Sequence, residues 1–391
     1  MTLAELRSIV NEFMHWDESD LLAVDFLLSA YLATFLPGEA ELPWSALVAA
    51  PSTGKTEITR AVWSYSRTVA RSSLTQHAFV SGYIDPANPH HDFSLLDELQ
   101  GGKVLVVGDF TTILCQPDKE VRDFIGKLRS AFDGKFDHHS GNRGNKEYLT
   151  RFGLVVCCTG VLDRWVQENQ ELGERVLVCR LFRGHSFTRR RSVALRVSQV
   201  DGTAKSAFRN TYQAAVHRFL DDRIAFLQSQ PAEFRVTRPP HLAERLALLA
   251  HLLVELRTVP DGWAPNDAEG PGRVAGQLAS LLDSHALVQG RTTWIDSDFV
   301  IARRVAQDTL HPGHHKLIHT LSLTDIPRTR DQILAESKVE GVIGGPQLHQ
   351  WWNSGILIQP ESGVFTLSPE ARESLILSEF FVPDQGEGSP C

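Results

Sequence analysis

One short stretch, residues 46–57, constrains the fold of this chain more than any other feature. It reads Ala-Leu-Val-Ala-Ala-Pro-Ser-Thr-Gly-Lys-Thr-Glu, an apolar run that leads into a turn ending in glycine, lysine and threonine. This pattern predicts a β-strand, a tight loop and then a helix, which we expect over Ile58 to Val69. Backbone N–H groups of such a loop and of the helix N-terminus face an anion. The stretch therefore predicts a phosphate-binding loop in an α/β fold.

The loop has the residue types that bind a nucleoside triphosphate with magnesium. We expect Lys55 to bind the β- and γ-phosphates and the Thr56 hydroxyl to ligate Mg²⁺, with ATP as the nucleotide. The usual pattern has glycine five places before Gly54, where this chain has Ala49, another small residue. The alternative is an ordinary strand–turn–helix. The expected nucleotide-binding residues are Pro51, Ser52, Thr53, Gly54, Lys55, Thr56 and Glu57.

Length and composition indicate a multidomain globular protein. A chain of 391 residues exceeds what one compact core accommodates and predicts two or three domains. Apolar residues make up 42% and charged residues 22%, as in soluble proteins. The five cysteines lack paired metal-ligand spacing, and Cys157 and Cys158 lie inside an apolar run, so we expect buried thiols and a cytoplasmic protein.

The sequence predicts neither a membrane-spanning helix nor a protein surface that is basic overall. No signal peptide is apparent at the N-terminus, and the longest apolar stretch, Leu21 to Leu36, contains Asp25. That stretch is shorter than the ~20 residues that cross a bilayer, so it predicts a buried helix. The net charge is −8, from 39 Lys and Arg against 47 Asp and Glu. Any contact with DNA must therefore come from local basic patches.

Hydrophobic periodicity divides the chain into five expected parts: N-terminal helices packing on the core (1–40), an α/β core (41–200), an all-helical region (201–312), a domain of three helices and a hairpin (313–378), and a disordered tail (379–391). Strands alternate with helices in the core, which predicts a mostly parallel sheet with ligands at the strand carboxyl ends. The expected strands are Ser45–Ala49, His77–Ile84, Lys103–Val107, Leu154–Cys158 and Val176–Leu181.

A second acidic group for the metal follows the strand at Lys103–Val107. Asp109 ends this apolar run, where a parallel sheet presents its ligands, and we predict that it binds Mg²⁺. The alternative is a strand-end aspartate that makes a turn. A glutamate usually follows to orient the attacking water, but Phe110 stands there. Asp97, Glu98 or a water held by threonine are open candidates for that role.

Three further residues are candidates for contacts with the γ-phosphate. Thr159 ends the strand at Leu154–Cys158 and either senses the γ-phosphate or caps the next turn. Arg175 precedes the last core strand, where its guanidinium either reaches a neighbouring subunit's phosphate or pairs with Glu174 or Glu171. Arg273 starts a helix in the helical region, from which it either swings onto the γ-phosphate or forms a surface salt bridge.

Taken in order, these segments resemble an AAA+ ATPase, and within that group they are similar to minichromosome-maintenance (MCM) helicases and related ATPases of phages and mobile elements. The resemblance covers roughly residues 5–375 and depends on Pro51–Thr56, Lys103–Leu114, Leu172–Leu181 and the Arg273 helix. It implies a homo-oligomeric ring, commonly a hexamer, with Arg175 acting in trans, Arg273 as a second sensor, an all-helical lid and a C-terminal winged helix. It also implies a β-hairpin before the sensor strand that contacts DNA.

A segment matching this hairpin runs from Phe132 to Leu149 around a Gly/Asn turn. Arg143 and Lys146 lie at its tip, where they suit contacts with DNA phosphates. The alternative is an exposed hairpin whose charges keep it soluble. Two departures from true MCM helicases weigh against processive unwinding: only residues 1–40 precede the core, which leaves no room for the N-terminal DNA-binding domain, and the metal-site glutamate is missing.

The C-terminal domain has few of the residues that usually bind nucleic acid. Its third helix carries Gln347, His349, Gln350 and Asn353 but no lysine or arginine, so DNA and protein partners are both open. Trp351 and Trp352 are core residues, or one of them anchors a partner. The paired histidines His90-His91, His138-His139 and His314-His315 lack metal-ligand spacing.

The sequence thus predicts an ATP-dependent AAA+ ring ATPase acting on DNA, a helicase-like motor or translocase of a mobile element or phage. The alternative is an ATP-gated switch or scaffold that assembles on DNA and recruits a partner with little hydrolysis, as a helicase loader or a defence component would. Phe110 and the acidic net charge favour the alternative.

Overall fold

The computed structural model describes residues 1–38, 40–75, 78–80, 94–140, 144–168, 175–181, 191, 195, 198–199, 201–258 and 270–381. The chain forms two compact units. The first comprises Met1–Thr237 and Ser280–Trp294, and the second comprises Arg238–Ala279 and Ile295–Cys391. The five-part division drawn from the sequence stays a prediction. Residues 382–391, most of the expected disordered tail, lie outside the described residues.

The centre of the first unit is a five-stranded parallel sheet, which confirms the predicted α/β fold. The order across the sheet is β2-β3-β6-β1-β7. A separate antiparallel pair, β4 and β5, forms a hairpin. The strands are β1 (Trp44–Val48), β2 (Thr68–Arg71), β3 (Val104–Val107), β4 (Lys135–Ser140), β5 (Gly144–Leu149), β6 (Gly153–Cys158) and β7 (Val176–Arg180).

Strand β1 has an apolar sequence because it lies between two other strands and is covered on both faces. All five of its residues are buried, as in parallel sheets whose two faces are both covered. Its polar atoms have partners: the Trp44 indole Nε1 donates to the Phe152 carbonyl at 3.0 Å, and the Ser45 hydroxyl donates to the Leu154 carbonyl at 2.9 Å. Strand β1 is therefore fixed to the segment that contains β6.

Helices of the first unit surround this sheet. Helix α2 (Glu18–Ala33) is buried on nearly all sides, which confirms the buried helix predicted near Leu21–Leu36. Its N-cap residue, Asp17, accepts a hydrogen bond from the Asp20 N–H. The helices are α1 (Leu3–Met14), α2 (Glu18–Ala33), α3 (Lys55–Trp63), α4 (Leu95–Glu98), α5 (Thr111–Leu114), α6 (Asp118–Phe132), α7 (Val161–Glu168) and α8 (Gly202–Ser229).

One local prediction in the core is wrong, and a second can be compared with the structure at only three residues. The helix after the loop ends at Trp63 rather than Val69, because Val69 belongs to β2 and pairs with Leu105. β-Branched residues such as Thr68 and Val69 suit a sheet better than a helix. The strand expected at His77–Ile84 is not found at residues 78–80, and the rest of that segment lies outside the described residues.

The second unit is mostly helical and carries a small antiparallel sheet of order β8-β10-β9. The predicted series of three helices and a hairpin is confirmed, and a short strand before the second of these helices completes the sheet. The elements are α9 (Pro240–Arg257), α10 (Gly272–Val288, which also enters the first unit), α11 (Phe299–Thr309), α12 (Pro312–Ser322), β8 (Arg328–Thr329), α13 (Arg330–Ser337), α14 (Gly341–Asn353), β9 (Leu357–Glu361), β10 (Val364–Leu367) and α15 (Pro369–Leu377).

Within the described ranges, none of the helices combines the length and the apolar character that a bilayer span requires.

The contact between α2 and β6 predicts opposite effects for two glycine substitutions. A Cβ on Gly153 would lie 2.1 Å from Thr34 Oγ1 and 3.2 Å from Val104 Cγ2, whereas a Cβ on Gly126 meets nothing within 4 Å. We expect Gly153→Ala to lower the free energy of unfolding by about 1–3 kcal/mol through overpacking. Gly126→Ala, in the exposed interior of α6, should raise it by about 0.5–1 kcal/mol. Urea denaturation of both variants checks this, and equal effects would contradict the packing described for Gly153.

Candidate functional site

The loop from β1 to α3 has the backbone conformation of an anion-binding turn. Gly54 caps α3 with φ of 96°, and Ser52 has φ of 65°, both in the left-handed region. The Gly54 carbonyl accepts the Glu57 N–H at 2.9 Å, and no side chain caps the helix. The first N–H groups of α3 therefore remain available to an anion, which the positive end of the helix dipole favours.

The Lys55 ammonium lies in the concavity of this loop. Its Nζ donates to the carbonyl oxygens of Ala49, at 2.9 Å, and Ala50, at 3.3 Å. The Thr53 hydroxyl donates to the same Ala50 carbonyl at 2.8 Å. The loop thus curls around a positive charge, and an anion bound by the loop N–H groups would lie beside that charge.

The junction between α1 and α2 covers the glycine of the loop. A Cβ on Gly54 would lie 2.1 Å from Met14 Cε and 2.9 Å from Trp16 Cζ2. Trp16 is buried, so its indole provides a fixed wall beside Gly54. Sequence reasoning missed this contact, since nothing in the pattern of residues 1–40 connects Trp16 to the loop.

Asp109 follows β3 at the same edge of the sheet as the loop. Strands β3, β6 and β1 are adjacent and parallel, so their carboxyl ends lie together. Asp109 is exposed, and its N–H donates to the Ser72 carbonyl at 3.1 Å.

The buried thiol of Cys157 lies on β6, between the strands β1 and β3 that lead to Lys55 and Asp109. Burial raises the pKa of Cys157 to about 11, while the Lys55 charge acts to lower that pKa and the Asp109 charge acts to raise it. Both charges therefore lie close enough to Cys157 to influence its ionisation. A cation and a carboxylate on one sheet edge suit a phosphate and a hard metal ion respectively.

Thr159 follows β6, between the loop and Asp109. Its N–H donates to the Thr111 hydroxyl at 3.0 Å, and the two hydroxyl oxygens are 3.3 Å apart. The Val161 N–H also approaches the Thr159 hydroxyl, at 3.5 Å. Thr159 thus has the local contact expected of a turn cap while it also lies where a γ-phosphate sensor is predicted. The structure brings Lys55, Asp109 and Thr159 to one edge.

The position where a water-orienting glutamate usually stands is occupied by the buried Phe110, and the two acidic alternatives, Asp97 and Glu98, have basic partners. Phe110 is 3% exposed, and its N–H donates to the Cys157 carbonyl at 2.8 Å. Asp97 Oδ1 lies 3.4 Å from Lys146 Nζ, and the Glu98 carboxylate accepts a hydrogen bond of 2.5 Å from Arg71. The Thr111 and Thr159 hydroxyls are therefore polar groups beside Asp109 that do not belong to an ion pair.

Arg175 lies at the amino end of β7, on the opposite edge of the sheet. It is 5% exposed, its Nη2 lies 3.4 Å from Asp133 Oδ1, and its guanidinium lies 5.7 Å from the Phe132 ring centre. The residues expected as its partners, Glu171 and Glu174, lie outside the described residues. Five residue steps along β7 span about 16 Å, so Arg175 is too distant to reach the loop of its own chain.

A charged cluster that was not predicted from the sequence connects α8 to the first turn of α3. Arg209 donates two hydrogen bonds of 2.7 Å to the Glu57 carboxylate, and Lys205 Nζ lies 3.4 Å from it. The Arg209 hydrogen bond lowers the pKa of Glu57. Glu57, predicted to bind nucleotide, is therefore engaged by α8. Because 152 positions separate Glu57 and Arg209, no local pattern could predict the pair.

The remaining predicted site residues are Arg273 in the second unit, Lys146 on the β4–β5 hairpin, and Arg143. Arg273 is half-buried in the first turn of α10, in the second unit. Lys146, on β5, is paired with Asp97 and lies 4.7 Å from the Tyr148 ring centre. Arg143 lies outside the described residues.

Helix α14 buries much of its predicted polar surface. Gln347 is buried, and its Nε2 donates to the Thr258 carbonyl at 3.0 Å. Gln350 and Trp351 are also buried, while His349, Trp352 and Asn353 are exposed. Because Gln347 and Gln350 face inward, they are not positioned to contact DNA. The exposed side combines an aromatic residue with neutral polar ones.

No cluster of three or more His, Cys, Asp and Glu side chains is placed to hold a metal ion within the described part of the chain. His314 is buried, which lowers its pKa to about 3. His90 and His91 lie outside the described residues, as do the side chains of His138 and His139.

Comparison of the sequence with protein-family models, and with curated proteins, gives no match. The functional assignment therefore depends on the geometry of the site.

The wall beside Gly54 predicts that alanine there costs more than backbone strain alone. Gly101 provides a matched control, since it also has a positive φ, 82°, but a Cβ there meets nothing within 4 Å. We expect Gly101→Ala to lower the free energy of unfolding by about 1–2 kcal/mol. Gly54→Ala should lower the free energy of unfolding by about a further 1–3 kcal/mol, because the Met14 methyl group and the Trp16 ring must both shift. Urea denaturation measures both, and equal losses would show that Trp16 does not limit the loop.

The Glu57–Arg209 pair predicts a pH-dependent contribution to stability. Because the folded pKa of Glu57 is lowered, the pair stabilises the fold above the ordinary glutamate pKa of about 4.3 and loses this effect as pH falls through the folded pKa. Glu57→Gln should cost about 1–2 kcal/mol at pH 7 and much less at pH 3. The exposed Glu233→Gln is the control, and a Glu57→Gln deficit that persists undiminished at pH 3 would contradict the ion pair.

Proposed function

We propose that this chain binds ATP with Mg²⁺ at Pro51–Glu57 and hydrolyses it as an AAA+ ATPase. The observation that carries the proposal is the geometry of the loop after β1: Lys55 Nζ lies within the loop, the N-terminus of α3 has no side-chain cap, and Asp109 follows β3 at the same edge of the sheet. These groups match a triphosphate and its metal ion in charge. An ordinary strand–turn–helix requires neither the lysine in the loop nor the carboxylate beside it.

The chemistry follows from the roles of these side chains. Lys55 would bind the β- and γ-phosphates, and the loop N–H groups would hold the remaining oxygens. Thr56 and the exposed Asp109 supply the oxygen ligands that Mg²⁺ prefers. The bound metal would neutralise charge on the phosphates. Thr159 would donate to the γ-phosphate from between these groups.

The water-orienting group would come from the Thr111 and Thr159 hydroxyls. The two hydroxyl oxygens are 3.3 Å apart at the edge of the site, whereas Asp97 is paired with Lys146 and Glu98 with Arg71. A hydroxyl pair orients water without taking its proton, so we expect slow turnover.

Assembly into a ring is part of the proposal. Arg175 lies at the amino end of β7, away from the loop of its own chain, so it would act on the nucleotide of a neighbouring subunit, and its buried guanidinium would have to leave Asp133 to do so. Guanidinium in that role stabilises charge on the transferring phosphate. A hexameric AAA+ ring with a helical lid bearing Arg273 and a C-terminal winged helix would act on DNA as a helicase-like motor or translocase. Arg143 and Lys146 of the β4–β5 hairpin would contact the phosphates of the strand.

A second candidate is an ATP-gated switch that recruits a protein partner, as a helicase loader or defence component does. The buried Phe110 favours it, because no acid follows Asp109. The exposed Trp352 and His349 on α14 favour contact with a protein rather than with DNA.

Steady-state ATP hydrolysis by the full chain separates the two functions. It is measured with and without single- and double-stranded DNA, across a range of protein concentration. The motor requires turnover per chain that rises both with DNA and with concentration. ATP binding with negligible turnover under all conditions supports the switch.

The role of Arg175 predicts a difference between two variants that break the same ion pair. Arg175→Ala should spare ATP binding and lower hydrolysis about 10³-fold, as loss of an arginine finger does. Asp133→Asn also breaks the pair but keeps the guanidinium, so its hydrolysis should stay within about threefold of the unaltered chain, since an exposed partner contributes little. Equal losses in the two variants would indicate a structural role for Arg175, and normal hydrolysis in Arg175→Ala would exclude the finger.

A further inference from the structure

Arg180 and Asp163 form a paired contact beside the phosphate loop that sequence reasoning did not single out. Arg180 Nη1 donates to Asp163 Oδ2 at 2.9 Å and Nη2 donates to Asp163 Oδ1 at 2.5 Å, in the fork-to-fork arrangement of strong arginine–carboxylate pairs. Both side chains are largely removed from water, with 14% and 16% exposed. Such a pair holds a fixed geometry, unlike an exposed one.

The position of the pair follows from the sheet order. Arg180 is the last residue of β7 and lies opposite Val48, the last residue of β1. Asp163 lies in the first turn of α7, which follows β6. Because β1 lies between β6 and β7, the pair connects the two neighbours of β1 at the end where the loop begins.

Backbone contacts tie the same three segments together at this point. The Ala49 N–H donates to the Cys158 carbonyl at 3.1 Å on the β6 side, and the Leu181 N–H donates to the Val48 carbonyl at 3.1 Å on the β7 side. Thr159 is the next residue after Cys158. The Arg180–Asp163 pair therefore restrains the turn that carries Thr159 relative to the loop that carries Lys55.

We propose that Arg180 and Asp163 are positioning residues that set the Thr159 turn against the phosphate loop, and that link this turn through β7 to Arg175. This role rests on the proposed function. Neither residue touches the nucleotide. The pair fixes the turn that carries the Thr159 hydroxyl, which would donate to a bound γ-phosphate, and a shift of Arg175 at the other end of β7 reaches that turn through the pair. Lysine at position 180 keeps the charge but cannot make the two parallel bonds.

The test compares the variant Arg180→Lys with Arg304→Lys, which alters a similar arginine–carboxylate pair in the second unit. Arg304 Nε lies 2.7 Å from Asp308 Oδ2, with 9% and 0% of the side chains exposed, so Arg304→Lys breaks a similarly buried arginine–carboxylate contact that belongs to the second unit. ATP affinity, kcat and ATP-dependent hydrogen exchange are measured on the full chain for the unaltered protein, Arg180→Lys, Asp163→Asn and Arg304→Lys.

We expect Arg180→Lys and Asp163→Asn to keep the Kd for Mg·ATP within about twofold and to lower kcat about tenfold, a coupling-sized effect. ATP should protect the amides of residues 159–163 in the unaltered chain and in Arg304→Lys. In Arg180→Lys that protection should be lost while residues 51–57 stay protected. This exchange result does not require hydrolysis, so it tests the positioning role even in a protein that binds ATP as a switch.

Two results overturn the proposal. If Arg180→Lys alters neither kcat nor exchange more than Arg304→Lys does, the pair is structural and the proposed ATPase function is unaffected. If the unaltered chain does not bind Mg·ATP, the proposed function fails, and the positioning role fails with it.

A further check is the double variant that combines Arg180→Lys with Arg175→Ala. Transmission through β7 requires that Arg180→Lys adds little to the loss that Arg175→Ala causes, whereas independent effects would multiply.

Discussion

The arrangement of this site depends on the parallel pairing of β1 between β6 and β7. Every backbone group of a fully buried strand requires a partner, and β1 finds its partners on both sides. Parallel pairing also places all carboxyl ends on one edge. The sheet therefore places three features side by side: the loop after β1, Thr159 after β6, and Arg180 at the end of β7. Strand pairing alone accounts for their proximity. The same rule separates Arg175, at the start of β7, from the loop of its own chain.

Packing around the loop restrains it from outside the sheet. Trp16 lies against Gly54, and Arg209 holds Glu57, so segments from both ends of the first unit meet the first turn of α3. A phosphate site benefits from such support, because N–H groups that are already in position require no reorganisation when an anion binds. The cost is a loop with little tolerance for a side chain at Gly54.

The sequence predicts local features of this protein well and distant contacts poorly. Strand β1 and the loop could be predicted because an apolar run followed by Gly-Lys-Thr determines strand, turn and helix over a dozen positions. Strand β2 could not, since only four residues form it and its pairing with β3 decides their conformation. The Glu57–Arg209 pair joins positions 152 apart, and the burial of Gln347 depends on α9. Periodicity within a segment carries no information on either contact.

Binding of Mg·ATP by Lys55 and its loop can be measured by isothermal titration calorimetry of the full chain. We expect one site per chain, whose affinity falls by at least about a hundredfold in Lys55→Ala, because that variant loses the charge-assisted contact of the ammonium to phosphate. The affinity should be unchanged in the exposed Lys119→Ala. Binding of equal strength in both variants, or no binding by the unaltered chain, would contradict the assignment of this loop as the Mg·ATP site.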